Sequence, residues 1–455
     1  MRKLITCGFA IFFSVCLGFL AVSCKPGEET EPPGQENHWV FVIGAEADSV
    51  KKDERLELSV QTLTLNGEGV SEQIAWHTTD DSIASVEDGI LTGLSAGSVE
   101  VYAEIQGGAV VSNRLTVNVY EAYEQIRVSD TDLINYYGRN GIEESSVTLY
   151  NTASAFEVSF MGESLTAELY SEKADARMQL YVNGKPVAAQ LTLDVGSKSY
   201  NLAENCDADE RTTVRAIKVN SADKSTIRLT ALETDGVFVT PSAKPQLKLE
   251  FYGDSITCGL GVNGLQGDTP ANEDGTVTYA YLAAQQLGAQ AFMQCYSGIS
   301  AAVPVTQWGW REDEYMGTLY DWYAPRVEDA KWDFTSYEAD VIVVNLGTND
   351  NSAIRQGNGS YDLFVSRYIA FVQALRAQNP DAPILLCYGM MGSDSSLSAC
   401  VRRVQQEAGV SGVEYLNMRK VSCTGFNGHP DAAGHMAGAE ELIAKIRTLI
   451  ADTTN

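Results

Sequence analysis

A chain of 455 residues is too long for one hydrophobic core, and at about 150 residues per domain it divides into roughly three. Its net charge of −28 at pH 7 repels phosphate backbones, which argues against nucleic acid as a partner. Neutral polymers are compatible with such a surface, whereas a polyanion such as pectate is not unless a metal intervenes.

Residues 1–23 read as a secretory signal: Arg2 and Lys3, an apolar run from Leu4 to Val22, then small residues up to Cys24. The exit Leu20-Ala21-Val22-Ser23-Cys24 resembles a bacterial lipobox, which implies lipid attachment at Cys24 and a membrane anchor in place of a membrane helix. The protein is then expected to be exported and held to the cell envelope, at the outer membrane. No later stretch is apolar enough to span a bilayer. Residues 24–38 (KPGEETEPPGQEN over 25–37) are rich in Pro, Gly and Glu and read as a tether.

From Trp39 to about residue 121, short runs with period-two alternation, such as Arg55–Val60 and Val99–Ala103, are broken by turn residues and predict a small β-sandwich. The run Trp76-His77-Thr78-Thr79-Asp80-Asp81-Ser82-Ile83-Ala84-Ser85-Val86, with Asp88-Gly89-Ile90-Leu91-Thr92-Gly93-Leu94 after it, resembles the bacterial Ig-like (BIG) modules, which implies a spacer or adhesion role. Residues 125–242 are again β-rich. Met178–Val182 runs into Asn183-Gly184, a strong hairpin signal, and a second sandwich of jelly-roll kind is expected.

After Lys244 strands alternate with helices. Apolar strands are expected at Leu247–Tyr252, Ala291–Tyr296, Val341–Leu346, Pro383–Tyr388 and Val413–Met418. Helices are expected at Tyr279–Leu287, Tyr361–Ala377 (with Phe364, Tyr368, Phe371 and Leu375 on one stripe), Ser396–Ala408 and Asp431–Ile450. Near-continuous apolar strands alternating with helices predict a parallel, doubly wound, flavodoxin-like sheet over 245–455, with its ligand site beyond the carboxyl ends of the strands.

Gly253-Asp254-Ser255-Ile256-Thr257 directly follows the first of these strands, where a sharp turn exposes a serine hydroxyl among backbone N–H groups. Gly298 follows the second strand, Asn349 in Gly347-Thr348-Asn349-Asp350 the third, and His429 precedes the last helix. Singly, each has a plainer reading as a turn glycine, a helix cap or a loop histidine. Together they resemble the SGNH (GDSL-like) hydrolases, which implies Ser255 as nucleophile, His429 as its base, and an oxyanion hole from the N–H groups of Ser255 and Gly298 and the side-chain amide of Asn349. The other histidine of this domain, His435, falls within the last helix, where a structural role is expected.

That family commonly carries an aspartate three residues before the histidine, and here that position is Phe426. A backbone carbonyl or Asn427 is left to orient the imidazole. With a β-sandwich just before Gly-Asp-Ser and the phrase from Trp332-Asp333-Phe334 to Asp350, the last 330 or so residues resemble carbohydrate esterase family two. The resemblance implies a Ser-His dyad that deacetylates xylan or glucomannan. An independent hint of sugar is the aromatic segment between the second and third strands, which holds Trp308, Trp310, Trp322 and Trp332; Trp308 and Trp310, flanked by Gly309, Arg311 and Glu312, are the expected platforms. No cofactor motif and no zinc spacing is present, and the six cysteines after Cys24 are expected as buried thiols. Two other readings remain: a hydrolase of a different acyl ester, such as a lipid, and a noncatalytic glycan-binding lipoprotein.

Overall fold

The computed structural model describes residues 38–326 and 331–453; the leader, Cys24 and the tether lie outside them. Residues 39–120 form two five-stranded sheets. One is built around the antiparallel pair Trp39–Ala45 and Arg55–Leu65, the other around Gly97–Ile105 and Leu115–Tyr120. Along Gly97–Ile105 the side chains of Val99, Val101, Ala103 and Ile105 are buried while Ser98 and Glu100 face water, which is the signature of a strand with one wet face.

Residues 122–239 form a second pair of sheets, of eight and five strands, around a core that includes Phe156, Val158, Phe160, Leu169 and Val214. The Asn183-Gly184 turn joins Ala176–Val182 to Lys185–Pro186 with both residues at positive φ (48° and 73°), the type I′ geometry that matches strand twist. The strand Ala155–Met161 departs from simple alternation because its outer face is also covered: Glu157 and Ser159 are buried beside Phe156 and Val158. What covers Ala155 is the C-terminal domain, through Tyr281.

That domain is an α/β sheet of five parallel strands, β1 (Lys248–Gly253), β2 (Gln290–Cys295), β3 (Val341–Asn345), β4 (Ile384–Tyr388) and β5 (Val413–Asn417), in the order β2-β1-β3-β4-β5. Its helices are α1 (Ser255–Cys258), α2 (Tyr279–Gln286), α3 (Met316–Leu319), α4 (Thr348–Arg355), α5 (Tyr361–Gln378), α6 (Ser395–Glu407) and α7 (Ala432–Thr453). The strands read as unbroken apolar runs because both faces are dry. Val341 and Val343 pack with Tyr279, Leu442 and Ile446 from α2 and α7, while Ile342 and Val344 pack with Phe364, Tyr368 and Phe371 from α5. In this strand order the direction of winding reverses between β1 and β3, the place at the carboxyl edge where open parallel sheets hold a ligand.

The second sandwich and the sheet are joined by a buried arginine. Arg139 donates through Nη2 to Glu250 Oε1 (2.6 Å) and to the Tyr252 hydroxyl (2.7 Å), both on β1, and through Nη1 to the carbonyls of Tyr320 and Trp322 (2.6 and 2.8 Å). Its guanidinium also lies 5.0 Å from the ring centre of Phe334. None of the helices among the described residues is long and apolar enough to cross a membrane.

Candidate active site

Ser255 is the first residue of α1, directly after β1. The turn is tight enough that a Cβ at Gly253 would stand 1.9 Å from Thr257 Oγ1, so this position accepts only glycine. Asp254 caps the helix by accepting from the Ile256 N–H (3.0 Å). Burial pushes its carboxyl up to about 7, with the nearby Asp350 adding to the effect, so near neutral pH Asp254 brings only part of a negative charge beside Ser255.

His429 arrives from 174 residues later and meets the serine at 2.7 Å, Ser255 Oγ to His429 Nε2. The other ring nitrogen, Nδ1, lies 2.7 Å from the Phe426 carbonyl. A carbonyl only accepts, so Nδ1 carries the proton and Nε2 presents its lone pair to the Ser255 hydroxyl, as a general base must. The backbone carbonyl at the position of the missing aspartate therefore sets the tautomer. It also accepts the His429 backbone N–H (3.1 Å), which closes the turn on itself. Asn427, at φ 53°, shapes this turn through its backbone. The turn rests against Gly261 (φ 84°), where a Cβ would stand 2.7 Å from Phe426 N and 3.2 Å from His429 Cβ.

The expected oxyanion donors are held together by one carboxylate. Asp350, three residues after Gly347, accepts from the backbone N–H groups of Ala301, Ala302 and Val303 (2.8, 2.8 and 2.7 Å). This ties the loop that carries Gly298 to α4, which carries Asn349. Burial pushes Asp350 up to about 6, against the pull of those three donors. Asn349 Nδ2 donates one hydrogen to the Ile299 carbonyl (2.7 Å), which fixes the amide and leaves its second hydrogen for a ligand. Neither the Ser255 N–H nor the Gly298 N–H donates to a group among the described residues. Gly298 sits at φ 83°. The four residues are thus brought together at the carboxyl edge of the sheet, with Ser255 and His429 each slightly accessible (9 % and 8 %).

The two tryptophans part ways. Trp308 is 52 % exposed and borders the Gly298 turn. Trp310, expected in a loop, is instead buried: its ring packs edge-on against Tyr296 and is covered by the Arg326 guanidinium 4.0 Å away. It supports the Gly298 loop from beneath and has no free face for a sugar. Arg311 stays in water as its neighbourhood implied, at 70% exposed, while the ring beside it turns inward under Arg326, sixteen residues later.

Burial also decides the histidines. His429 is held below its ordinary 6.5 by desolvation, with the Phe426 carbonyl and Asp268 opposing. His435 is held down to about 3 by burial; its Nδ1 accepts the Tyr279 N–H (3.2 Å), so it serves as a neutral structural group. Because His429 must be neutral to accept a proton, turnover is expected to rise with pH along a unit-slope limb whose midpoint lies below 6.5 and then to level off. A profile of kcat/KM against pH on a small acetyl ester checks this; a midpoint above 7 contradicts the assignment of His429.

One group among the described residues has metal-ligating types in reach of one another: Asp223, Cys258 and Glu273, with ligand atoms within 4.8 Å. The Lys224 ammonium already occupies that neighbourhood, bonded to Asp223 and 3.9 Å from Glu273, so the charge a cation would bring is supplied by the chain. Cys206, Cys258, Cys295, Cys387, Cys400 and Cys423 are unpaired.

Residues 251–437 match the model of the GDSL-like Lipase/Acylhydrolase family. The chain is 34% identical over 212 residues to the Cellulase/esterase CelE of Acetivibrio thermocellus, an alignment that takes in 44% of this chain and only 25% of that protein. It is 24% identical over 346 residues to an Acetylxylan esterase / glucomannan deacetylase of Cellvibrio japonicus, covering 74% of this chain and 94% of the relative. Among solved structures, a family two carbohydrate esterase from Clostridium thermocellum in complex with cellohexaose superposes with a TM-score of 0.63 at 26% identity, over 70% of this chain and 99% of that one. The C-terminal domain, which carries Ser255, Gly298, Asn349 and His429, is a member of the GDSL-like lipase/acylhydrolase family, and the chain is a homologue of the family two carbohydrate esterases.

Proposed function

We propose that this chain is a serine esterase that removes O-acetyl groups from a neutral plant cell-wall polysaccharide such as acetylated xylan or glucomannan. The observation that carries the reading is the 2.7 Å contact of Ser255 Oγ with His429 Nε2, in a chain that spans nearly the whole of a named acetylxylan esterase / glucomannan deacetylase. In this mechanism Ser255 Oγ attacks the acetyl carbonyl as its proton passes to His429 Nε2. The carbonyl oxygen, now negative, is met by the N–H groups of Ser255 and Gly298 and the free hydrogen of Asn349. His429 returns the proton to the departing sugar oxygen, and water, activated by the same nitrogen, releases acetate from the acyl-serine.

Trp308 is the aromatic face next to the oxyanion loop and is the group proposed to stack on the sugar that carries the acetyl. The first sandwich acts as an Ig-like spacer (39–121), the second as a jelly-roll (125–242), and Cys24 as the lipid attachment that holds the exported enzyme to the cell envelope. The test is acetate release from a set of acetylated glycans, alongside acetyl and octanoyl esters of one alcohol. Release from xylan or glucomannan with a preference for acetyl supports the reading. Preference for octanoyl with no glycan deacetylation moves the substrate to a lipid.

A further inference from the structure

The second sandwich and the α/β domain enclose a cavity of about 260 Å³ at the end of the sheet remote from Ser255. Its walls come from the sandwich strands and from the residues that lead into β1 and β2, Pro245 and Gly288–Ala291, whereas Ser255 follows the opposite end of β1. Three tyrosines line it: Tyr137 and Tyr181 from the sandwich and Tyr281 from α2. Beside them stands a charged pair. Arg215 donates through Nε to Glu157 Oε2 (2.7 Å) and through Nη2 to the Tyr137 hydroxyl (2.8 Å), and Glu157 Oε1 accepts from Tyr137 and Asn135 (both 3.2 Å). The Arg215 Nη1 group donates to nothing among the described residues.

Each of these features narrows the ligand. The pair is electrically balanced, so an anion would meet Glu157 and a cation would meet Arg215; a neutral molecule meets neither penalty. With Nε and Nη2 held by Glu157 and Tyr137, the Arg215 Nη1 group is left as a fixed planar donor for a ligand hydroxyl. The half-buried phenol rings of Tyr181 and Tyr281 offer flat apolar faces with a polar edge, whereas the Tyr137 ring is buried under the Arg215 guanidinium, 4.3 Å away, and serves the pair instead. The combination matches a pyranose, which has an apolar C–H face and a girdle of hydroxyls. At the small end of ligand cavities, about 300 Å³, the space holds one ring rather than a chain. A partly buried ion pair is also a costly way to fill an interface, since apolar side chains of similar volume pack there as well or better, and a ligand accounts for keeping it.

We propose that this cavity binds a single neutral pyranose unit of a glycan, as a second site separate from the one where Ser255 acts. The proposal goes beyond the esterase reading, because it concerns binding at a place with no catalytic group, and it is measured without turnover. The experiment titrates the full chain carrying Ser255→Ala with unacetylated xylo-, cello- and manno-oligosaccharides by calorimetry, alone and combined with Tyr181→Ala or Gln285→Trp, the latter closing the cavity mouth. Tyr181→Ala is expected to weaken one class of sites about tenfold, the loss of one stacked aromatic face, and Gln285→Trp to abolish that class. In the Ser255 background both variants are expected to hydrolyse a small acetyl ester at the parental rate, which reports an intact fold. Hydrogen-exchange protection over residues 176–182 and 279–286 on adding sugar reads the same site without altering it. A titration unchanged by both substitutions, no sugar binding at all, or no protection in those two segments overturns the proposal. The esterase reading is decided separately by acetate release, so the two can fail independently.

Discussion

Replacing Ser255 by Ala is expected to lower kcat on a small acetyl ester by about 10⁴-fold or more, with the fold unchanged. The side chain is small, and its hydroxyl bonds only to His429, so its loss leaves no structural group unpaired. The stronger form of the prediction concerns the pair. Ser255 Oγ and His429 Nε2 act as one unit across 2.7 Å, so His429→Ala alone is expected to cost nearly as much as Ser255→Ala, and the double variant little more than either. Steady-state rates of the three variants and a thermal melt of each check this. Independent, multiplying losses would mean that the two residues serve different steps. Residual turnover well above that of water is expected in all three, since Gly298 and Asn349 still offer donors to the oxyanion.

Arg139→Met is expected to destabilise the protein by about 3–5 kcal/mol. The guanidinium is buried, its partner Glu250 is wholly buried on β1, and removing the cation leaves a carboxylate with no counter-charge and the Tyr320 carbonyl without its donor, while the Trp322 carbonyl keeps the Gln294 amide. The cost arises from what remains, so it is expected to be largely recovered in Arg139→Met, Glu250→Gln, where no bare charge is left. Urea midpoints of the single and double variants measure the difference; a single variant within 1 kcal/mol of the parent would show that the sandwich and the sheet do not depend on this contact. The same pair ties the sandwich to the strand that leads into the candidate site. Arg139 grips Glu250 and Tyr252, and three residues after Tyr252 the same strand delivers Ser255.

The chemistry was the most legible part of the sequence because its requirements are local: Gly253 before Ser255, Gly298 after β2, and Asn349 after β3 each mark a turn at a strand end, and few histidines exist to serve them. The apolar runs likewise announced a sheet dry on both faces. What orients His429 was not legible, since every residue has a carbonyl and only folding selects the one at Phe426. Asp350 was given no role of its own in the sequence; its three bonds run to a loop some fifty positions earlier, and separation of that kind leaves no local trace. Trp310 misled because water-facing neighbours such as Arg311 do not say which way the adjacent ring turns, and Arg326, which covers it, comes sixteen positions later. Arg139 was invisible for a related reason: a lone arginine after a strand is an ordinary surface residue until a second domain closes over it.

The turn at Phe426 has an implication for anyone dissecting this enzyme by substitution. What steers the imidazole is main chain, so replacing each side chain from residue 424 to 428 in turn would leave the steering atom in place every time and suggest that His429 works unaided. Inserting or deleting a residue between Phe426 and His429, which shifts that oxygen away without changing any functional group, is the perturbation that would expose it.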